Sequence, residues 1–280
     1  MNRPLTGKTV VVTGATRGIG RMLAVGLAAE GAFVELAARS QDLLAEVTEE
    51  IGTAACAANC VDLTTEEGVQ ALIDSVTTRH DHLDALVNNA ATSRFSPIDS
   101  GEHSLAVWDR IFRLNVAVPF VLTAGLLPLL ARTITVTGER GRVVNIGSID
   151  GLRPPEHDAY AYAASKAALH HLTQMLAPQL GPRGVLVNAL ALSAFETRMS
   201  AERLQGMASQ MATANPVGRL GSATDIIGAV TFLCSRESGF VNGAVIPLDG
   251  GIRNRTLPMQ AMARVLDSDQ FTQVVGNGIS

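Results

Sequence analysis

Tyr162 and Lys166 are the two residues whose types and spacing most directly suggest chemistry. They are four positions apart in a segment with helical spacing, so both side chains project from one helix face. A free phenol has a pKa of about 10, and a neighbouring ammonium favours the phenolate and lowers that pKa. The pair predicts a tyrosine that exchanges protons near neutral pH, with the Ser148 hydroxyl as a partner. Tyr160, six residues before Lys166, lies on another helical face.

A glycine-rich segment near the start of the chain follows the strand-like run Thr9–Val12 and precedes helical spacing over Met22–Ala29. Glycines permit a tight turn and a close approach of the backbone to a pyrophosphate, and the following helix N-terminus attracts phosphate. The segment therefore predicts a dinucleotide site. Its expected contacts are Gly14, Thr16, Arg17, Gly18, Ile19 and Gly20.

The end of the second predicted strand bears on the type of cofactor. After Phe33–Ala37 the chain reads Ala38-Arg39-Ser40, with no carboxylate. An acidic residue there binds the ribose 2′-hydroxyl of NAD, whereas arginine accommodates the 2′-phosphate of NADP. Arg39 and Ser40, with Arg17 as a second cation, favour NADP(H) over NAD(H). The alternative is that both arginines are solvated surface residues.

Strand-like and helix-like segments alternate along most of the chain. The later segments are helices over 42–51, 66–79, up to about 131 and 160–179, and strands within 54–61 and over 85–88, 142–146, 185–191 and 244–248. This alternation indicates a parallel sheet covered by helices. We expect one α/β domain over residues 1–252.

Two segments fall outside this alternation. Residues 194–221 mix Met, Gln and Ser after a strand, which is typical of a substrate lid. Residues 253–280 follow the last strand, and their pattern does not distinguish a tail packed on a second subunit from a loose one.

Composition and charge argue against several classes of function. A net charge of −4 without a basic block argues against a nucleic-acid partner. Three cysteines, an odd number, give little support to a disulfide framework or a metal site, so we expect a reduced, cytoplasmic protein. The first apolar run is too short for a signal peptide. The longest apolar segment, 114–131, contains Pro119 and Pro128 and predicts a core or interface helix rather than a membrane span.

Together these segments resemble the short-chain dehydrogenase/reductase family over about residues 5–252. The family's Thr-Gly-x-x-x-Gly-x-Gly segment is matched by Thr13–Gly20, and its Asn-Asn-Ala-Gly segment by residues 88–91, with Ala91 in the last place. The resemblance implies a single-domain Rossmann-type doubly wound parallel sheet with helices on both faces. It adds as cofactor contacts Asp62, Leu63, Asn89, Ala90, Tyr162, Lys166 and Thr197.

The same resemblance implies a catalytic set of Asn115, Ser148, Tyr162 and Lys166. Tyr162 would donate a proton to a carbonyl oxygen while the nicotinamide delivers hydride to the carbon, and would act as the base in the oxidative direction. Ser148 would hydrogen-bond the same oxygen, and Lys166 would bind the nicotinamide ribose and lower the pKa of Tyr162. Asn115 would hold a water that links Lys166 to solvent.

One departure from the family lies after the strand that contains Asn188. Leu192 and Ser193 stand where the family carries Pro-Gly. Proline fixes φ and glycine reaches conformations closed to other residues, so we expect this loop to take another path or strained angles. We also expect weaker cofactor binding.

The resemblance favours an NADPH-dependent ketoreductase or alcohol dehydrogenase, nearest to the 3-oxoacyl reductase and polyketide-type branch. The substrate class stays open among acyl chains, steroids, sugar-derived ketones and natural-product intermediates. Arg94, Arg153 and Arg198 are candidates for binding an acidic group, with solvated surface as the alternative.

A second hypothesis is a non-catalytic NADP(H)-binding sensor or scaffold of the same fold, which Ala91 and the Leu192-Ser193 pair would permit. The complete catalytic set argues against it. The resemblance also implies a homodimer or homotetramer that uses the apolar helix near Leu114–Leu130 and the Tyr162 helix. His170 and its neighbours are interpreted as packing or interface residues.

Overall fold

A computed structural model describes residues 3–155, 157–196 and 207–254, with the side chain of Met207 left out. Seven parallel strands form one sheet in the order β3-β2-β1-β4-β5-β6-β7. The strands are β1 Thr9–Thr13, β2 Phe33–Ala38, β3 Cys56–Cys60, β4 Ala85–Asn88, β5 Gly141–Ser148, β6 Val185–Leu192 and β7 Val245–Leu248. The prediction of a parallel sheet is confirmed. The strand order reverses between β1 and β4, where open sheets of this type bind ligands.

Eight α-helices are described around the sheet. They are α1 Gly18–Ala29, α2 Gln41–Ile51, α3 Glu66–Arg79, α4 Leu105–Phe112, α5 Val118–Thr137, α6 Tyr160–Leu180, α7 Met207–Ala214 and α8 Ala223–Cys234. A π-helical turn, Arg113–Ala117, joins α4 to α5. Short 3-10 turns cover Ile149–Gly151, Gly181–Arg183, Arg236–Ser238 and Ile252–Asn254.

The sheet separates two apolar cores. On one face α1, α2 and α8 bury residues such as Leu23, Leu44 and Ile226. On the other face α3, α5 and α6 bury residues such as Leu72 and Leu126. Helices therefore cover both faces, as the doubly wound class requires.

Close helix contact explains one glycine on the first face. A Cβ atom on Gly26 of α1 would lie 2.3 Å from the side chain of Ile227 on α8. The two helices therefore pack at a distance that only glycine allows here.

Several boundaries and elements differ from the predictions. The predicted bounds of α3 and β4 are reproduced, but α4, α7 and α8 were not predicted. A sequence signal for α8 was present, since the Asp225 carboxylate accepts hydrogen bonds from the backbone and side chain of Ser222 in a capping arrangement.

Helix α5 runs to Thr137, six residues beyond the predicted end near Ala131. Its last turns are rich in β-branched residues, which are weak helix formers. The Thr133 hydroxyl bonds the Leu83 carbonyl at 2.6 Å, which secures this part of the helix against the sheet. Gly138, in the left-handed conformation, ends the helix.

The continuous segment Leu105–Thr137 is long and apolar enough to cross a membrane by length and composition. Half of its most apolar window is buried within the protein. Leu122, Leu126 and Leu130 are fully buried in the second core, which agrees with the predicted core helix.

Candidate active site

Tyr162 and Lys166 lie on α6, and Ser148 lies at the end of β5 facing them. The Lys166 side chain is 3% exposed, and its ammonium donates to the Ile146 carbonyl oxygen at 2.7 Å. The same nitrogen is 5.6 Å from the centroid of the Tyr162 ring. The structure thus brings together three of the four predicted catalytic residues as a phenol, a hydroxyl and a buried ammonium.

The two titratable groups of this cluster have perturbed pKa values. Burial raises the pKa of Tyr162 to about 12, the Ser148 hydrogen bond opposes this rise, and the Asp150 carboxylate adds to it. Burial lowers the pKa of Lys166 to about 8. For these protein groups alone the pKa of Tyr162 lies above its ordinary value, because desolvation of the phenol outweighs the other effects, so the expected pKa near neutrality is not found. The expected contribution of Lys166 to that pKa stays a prediction.

Asn115 is buried in the π-helical turn between α4 and α5. Its amide donates to the Thr92 carbonyl at 2.9 Å and to the Ser165 hydroxyl at 3.0 Å, and its oxygen accepts from the Thr92 backbone at 2.9 Å. The side chain therefore joins the loop after β4 to α6, close to Lys166. Its expected contact with a water molecule stays a prediction.

The chain between β1 and α1 turns sharply at the glycines. Gly14 and Gly18 have φ angles of 67° and 51°, which disfavour other residues. A Cβ atom on Gly20 would lie 2.0 Å from the Gly14 carbonyl oxygen. Thr16 is buried and Ile19 is half-buried against the first core.

The N-terminus of α1 differs from those of its neighbours. Arg17 occupies the N-cap position without a capping bond, and the first turn has no acidic residue. By contrast, α2, α3 and α4 are capped by Ser40, Thr65 and Ser104. The positive end of α1 is therefore left without a side-chain acceptor, as at helix ends that bind phosphate.

Asn89 and Ala90, at the end of β4, hold the glycine turn in place. Both backbone N–H groups donate to the Thr13 hydroxyl, at 2.9 and 3.0 Å. The Asn89 amide also donates to the Thr13 carbonyl at 2.8 Å. These two predicted contact residues thus position the turn between β1 and α1.

Arg39 and Ser40 follow the end of β2, and Asp62 follows the end of the neighbouring strand β3. They lie at the same edge of the sheet as the glycine turn, and we call the space along this edge the cleft. Asp62 accepts hydrogen bonds from the Thr64 backbone and hydroxyl, which hold the pKa of its carboxyl below the usual range, and the nearby Arg39 adds to this effect. Arg39 is exposed, and Ser40 also caps α2. The Leu63 side chain lies in the second core, so only its backbone faces a ligand.

Thr197 and Arg198 lie outside the described residues, as does the central part of the predicted lid over 194–221. Among the described residues, no group of three or more His, Cys, Asp or Glu side chains is arranged to hold a metal ion. Cys56, Cys60 and Cys234 are free thiols.

Comparison with known proteins identifies the family. The family model described as enoyl-(acyl carrier protein) reductase matches residues 14–253. The rhamnolipids biosynthesis 3-oxoacyl-(acyl-carrier-protein) reductase of Pseudomonas aeruginosa is 36% identical over 251 residues, covering 88% of this chain and 96% of that protein. This chain belongs to the short-chain dehydrogenase/reductase family.

Two further short-chain dehydrogenase/reductase matches have similar coverage. The cyclohexanol dehydrogenase of a Rhodococcus species is 35% identical over 272 residues, covering 90% of this chain and 98% of that protein. The solved Pseudomonas aeruginosa RhlG/NADP active-site complex has a TM-score of 0.83 at 34% identity, covering 90% of this chain and 98% of that one. The named relatives are oxidoreductases that act on C=O and CH–OH groups.

In this short-chain dehydrogenase/reductase, Leu192 and Ser193 show none of the expected backbone strain. Strand β6 continues through Leu192, which pairs with Leu248 of β7, and the Ser193 backbone donates to the Leu248 carbonyl at 3.3 Å. Within the described ranges, no residue other than glycine has a positive φ angle. Continued pairing with β7 therefore replaces the expected Pro-Gly turn.

The residues of the cleft fit a nicotinamide dinucleotide of the NADP type. Gly14 and Gly18 give the turn its left-handed backbone, the lack of a side chain on Gly20 lets the turn close against Gly14, and the uncapped end of α1 begins at this turn. Arg17 and Arg39 supply positive charge, and they form no salt bridge within the part of the chain that the structure describes.

Two groups near the centre were not identified as site residues from the sequence. Asp150 lies two residues after Ser148, and its carboxylate raises the pKa of the Tyr162 phenol. His170, one turn beyond Lys166, is 4% exposed, and neither ring nitrogen has a well-formed hydrogen bond among the described residues. Burial lowers the pKa of His170 to about 4, the Gly151 backbone opposes this effect and Lys166 adds to it.

His170 supports the turn that carries Ser148. A Cβ atom on Gly147 would lie 2.1 Å from the His170 ring, and one on Gly151 would lie 2.9 Å from it. The ring therefore lies directly against both ends of the Gly147–Gly151 segment, as the packing interpretation expected. The two glycines on either side of Ser148, Gly147 and Gly151, were the sequence signal that a bulky side chain packs against this segment.

Proposed function

We propose that this protein is an NADPH-dependent ketoreductase or alcohol dehydrogenase in which Tyr162 is the general acid and base. The observation that carries the proposal is the buried Lys166 ammonium beside the Tyr162 phenol and the Ser148 hydroxyl, at the sheet edge where α1 begins uncapped. A protein that only binds a dinucleotide has no need of a desolvated ammonium next to a phenol, since burying such a charge destabilises the fold.

The bound nicotinamide supplies hydride chemistry. Tyr162 and Ser148 both direct O–H groups toward the carbonyl oxygen, so its developing negative charge meets two donors. Tyr162 transfers its proton to that oxygen, and Lys166 stabilises the phenolate that results. In the oxidative direction Tyr162 takes the proton back from the alcohol.

The cofactor preference rests on charge at the adenosine end of the cleft. Arg39 follows β2 with no carboxylate at that position, and Arg17 precedes α1. Both are exposed and suited to a 2′-phosphate. The solved relative complexed with NADP supports this assignment. We therefore propose that NADP(H) is preferred over NAD(H), with Thr197 as a further contact.

The substrate is a small carbonyl compound or secondary alcohol. The named relatives reduce 3-oxoacyl chains or oxidise cyclohexanol at nearly equal identity to this chain, so similarity alone does not choose between acyl and alicyclic substrates. The resemblance to the 3-oxoacyl reductase branch stays a proposal. We also propose that residues 194–221 form a substrate lid, that the protein is cytoplasmic, and that it assembles as a homodimer or homotetramer.

Exposed apolar side chains support the proposed assembly. Phe120 and Val121 on α5 and Met175 on α6 are about half exposed, at 46, 45 and 56%. They lie on the two helices expected to form the shared face. Light scattering should give a mass of two or four chains, and a monomer would contradict this part of the proposal.

Turnover with a panel of ketones tests the function directly. NADPH consumption should depend on ketone, and NADPH fluorescence should report saturable binding. If the protein binds NADPH but consumes none with acyl, alicyclic, steroid or sugar-derived ketones, the sensor hypothesis is favoured instead. Omitting the ketone is the control for slow NADPH oxidation.

A further inference from the structure

The Asp150 carboxylate lies beside Ser148 and Tyr162, and it takes no part in the proton transfer between Tyr162 and the carbonyl oxygen. Its backbone N–H donates to the Ser148 hydroxyl at 3.1 Å, so both residues belong to one turn at the end of β5. The carboxylate also lies near enough to Tyr162 to raise the pKa of the phenol. A carbonyl oxygen bound between Ser148 and Tyr162 would therefore bring a group on its neighbouring carbon within reach of Asp150.

His157 lies beside this carboxylate. Its Nε2 is 3.5 Å from Asp150 Oδ2, and the ring centroids of His157 and Phe95 are 5.3 Å apart. Phe95 belongs to the loop between β4 and α4, and the next residue, Ser96, donates its backbone N–H to the Asp158 carbonyl at 2.9 Å. Asp150 therefore lies between the loop after β5 and the loop after β4.

The carboxylate remains accessible to a ligand. The Asp150 side chain is 15% exposed. An ionised carboxylate has about four acceptor positions and no donor, and one ring nitrogen of His157 can occupy only one of them. Asp150 can therefore accept a further hydrogen bond from a substrate hydroxyl.

Two cations of the surrounding segments already have partners. Lys166 donates to the Ile146 carbonyl, and Arg94 pairs with Glu102. In a 2-oxo acid the carbon next to the reacting carbonyl is a carboxylate, and that group would meet the Asp150 carboxylate in a repulsive contact. A hydroxyl at the same place would form a charge-assisted hydrogen bond.

We propose that Asp150 determines specificity by accepting a hydrogen bond from a hydroxyl on the carbon next to the reacting carbonyl, and by excluding 2-oxo acids, in which that carbon is a carboxylate. The preferred substrates are neutral α-hydroxyketones, and their products are vicinal diols. This inference rests on the function proposed above. Hydride adds to the carbonyl carbon, the proton from Tyr162 adds to the oxygen, and the neighbouring hydroxyl is unchanged.

Three ketones with one carbon skeleton test the inference: butan-2-one, 1-hydroxybutan-2-one and 2-oxobutanoate. We expect wild type to favour the hydroxyketone in kcat/KM and to reduce the keto acid least. Asp150→Ala should lower the ratio of hydroxyketone to plain ketone by about tenfold or more, because the charge-assisted bond is lost. It should also raise keto acid reduction relative to the plain ketone.

Asp158→Asn is the matched control. Asp158 is an exposed carboxylate of the same loop, and it bonds the Tyr160 hydroxyl at 2.8 Å. Its substitution should leave the wild-type ratios in place. Unchanged ratios in Asp150→Ala would overturn the inference while leaving the ketoreductase function intact.

Binding of alcohols tests the same contact without turnover. Calorimetry on the protein saturated with NADP⁺ should show tighter binding of butane-1,2-diol than of butan-2-ol, and Asp150→Ala should remove the difference. If no ketone is reduced, the proposed function fails, but this titration still decides the inference. Equal diol affinity in wild type and Asp150→Ala would contradict it.

Discussion

Two buried charged groups of this protein have opposite surroundings. Glu35 of β2 is fully buried, and its carboxylate accepts hydrogen bonds from Arg79 at 2.6 Å and from Asn59 at 2.7 Å, with His80 Nε2 at 2.6 Å. The Asn59 oxygen in turn accepts from Ser75 at 2.7 Å. Side chains of the protein therefore supply hydrogen-bond donors to both oxygens of the buried Glu35 carboxylate.

The group around Lys166 is not completed in this way. Its buried ammonium, with three donor hydrogens, has one carbonyl acceptor at hydrogen-bond distance and no carboxylate within the described residues. Nearby, His170 is buried without a well-formed hydrogen bond. Complete networks such as that of Glu35 stabilise the fold, whereas this incomplete one lowers stability and leaves donors for a ligand.

The largest expected effect separates activity from stability at Lys166. Lys166→Met should reduce kcat/KM by about 10³-fold or more, because the phenolate loses its cation and the cofactor its ribose contact. The same change should raise the melting temperature, because a desolvated charge is replaced by an apolar chain of similar size. Calorimetry and steady-state kinetics measure both, and a lower melting temperature would show that Lys166 stabilises the fold.

The stability difference should depend on pH with a defined sign. The pKa of Lys166 is about 8 in the folded protein, below the ordinary 10.5, so the unfolded chain binds more protons between these values. Wild type should therefore gain stability relative to Lys166→Met as the pH rises from about 8 toward 10. A constant difference over this range would contradict the burial of a charged lysine.

Removing the Glu35 carboxylate should have the opposite effect to Lys166→Met, because stability should fall while activity is retained. Glu35→Ala leaves Arg79 and His80 without their carboxylate and Asn59 with only the Leu36 carbonyl, and should lower the free energy of unfolding by about 3–5 kcal/mol. The activity of the folded fraction should stay at the wild-type level. Urea unfolding measures the loss, and Glu46→Ala, which removes an exposed carboxylate 3.7 Å from Arg21, is a control expected to cost under about 1 kcal/mol.

Arg39 is the residue at which the preference for NADPH over NADH can be tested. Arg39→Ala should weaken NADPH binding about tenfold and leave NADH binding unchanged, because only NADPH carries the 2′-phosphate. Fluorescence titration with both cofactors measures this. An equal loss of affinity for NADPH and NADH would mean that Arg39 maintains the shape of the loop and does not bind the 2′-phosphate. Arg21→Ala is the control for a general loss of positive charge.

The smallest expected effect concerns the acidity of Tyr162. The Asp150 carboxylate raises the pKa of the phenol, so Asp150→Asn should lower it. The basic limb of the pH dependence of kcat/KM should move to lower pH by less than about one unit. A shift to higher pH would contradict the position of this carboxylate.

The fold and most of the site follow from local patterns. Alternating segments identified every strand of the sheet, because buried parallel strands form short apolar runs. The spacing of Tyr162 and Lys166 placed both on one helix face, which α6 confirms. The glycine turn was also recognisable, since its backbone geometry restricts the residues it accepts.

What the sequence did not reveal depends on contacts between distant segments. The pKa of Tyr162 is set by the depth of burial, which no spacing of residues specifies. The Leu192-Ser193 segment is unstrained because it pairs with β7, more than fifty residues later. The contact between Asp150 and His157 depends on how the loop after β5 folds back toward Phe95.

Tyr162→Phe tests the central claim most directly, because it removes one hydroxyl and keeps the ring. We predict an NADPH dissociation constant within about threefold of wild type and turnover reduced by about 10³-fold or more with the best ketone of the panel. NADPH fluorescence and NADPH consumption, measured on the same preparation, provide both values. Turnover retained in the variant would contradict Tyr162 as the proton donor.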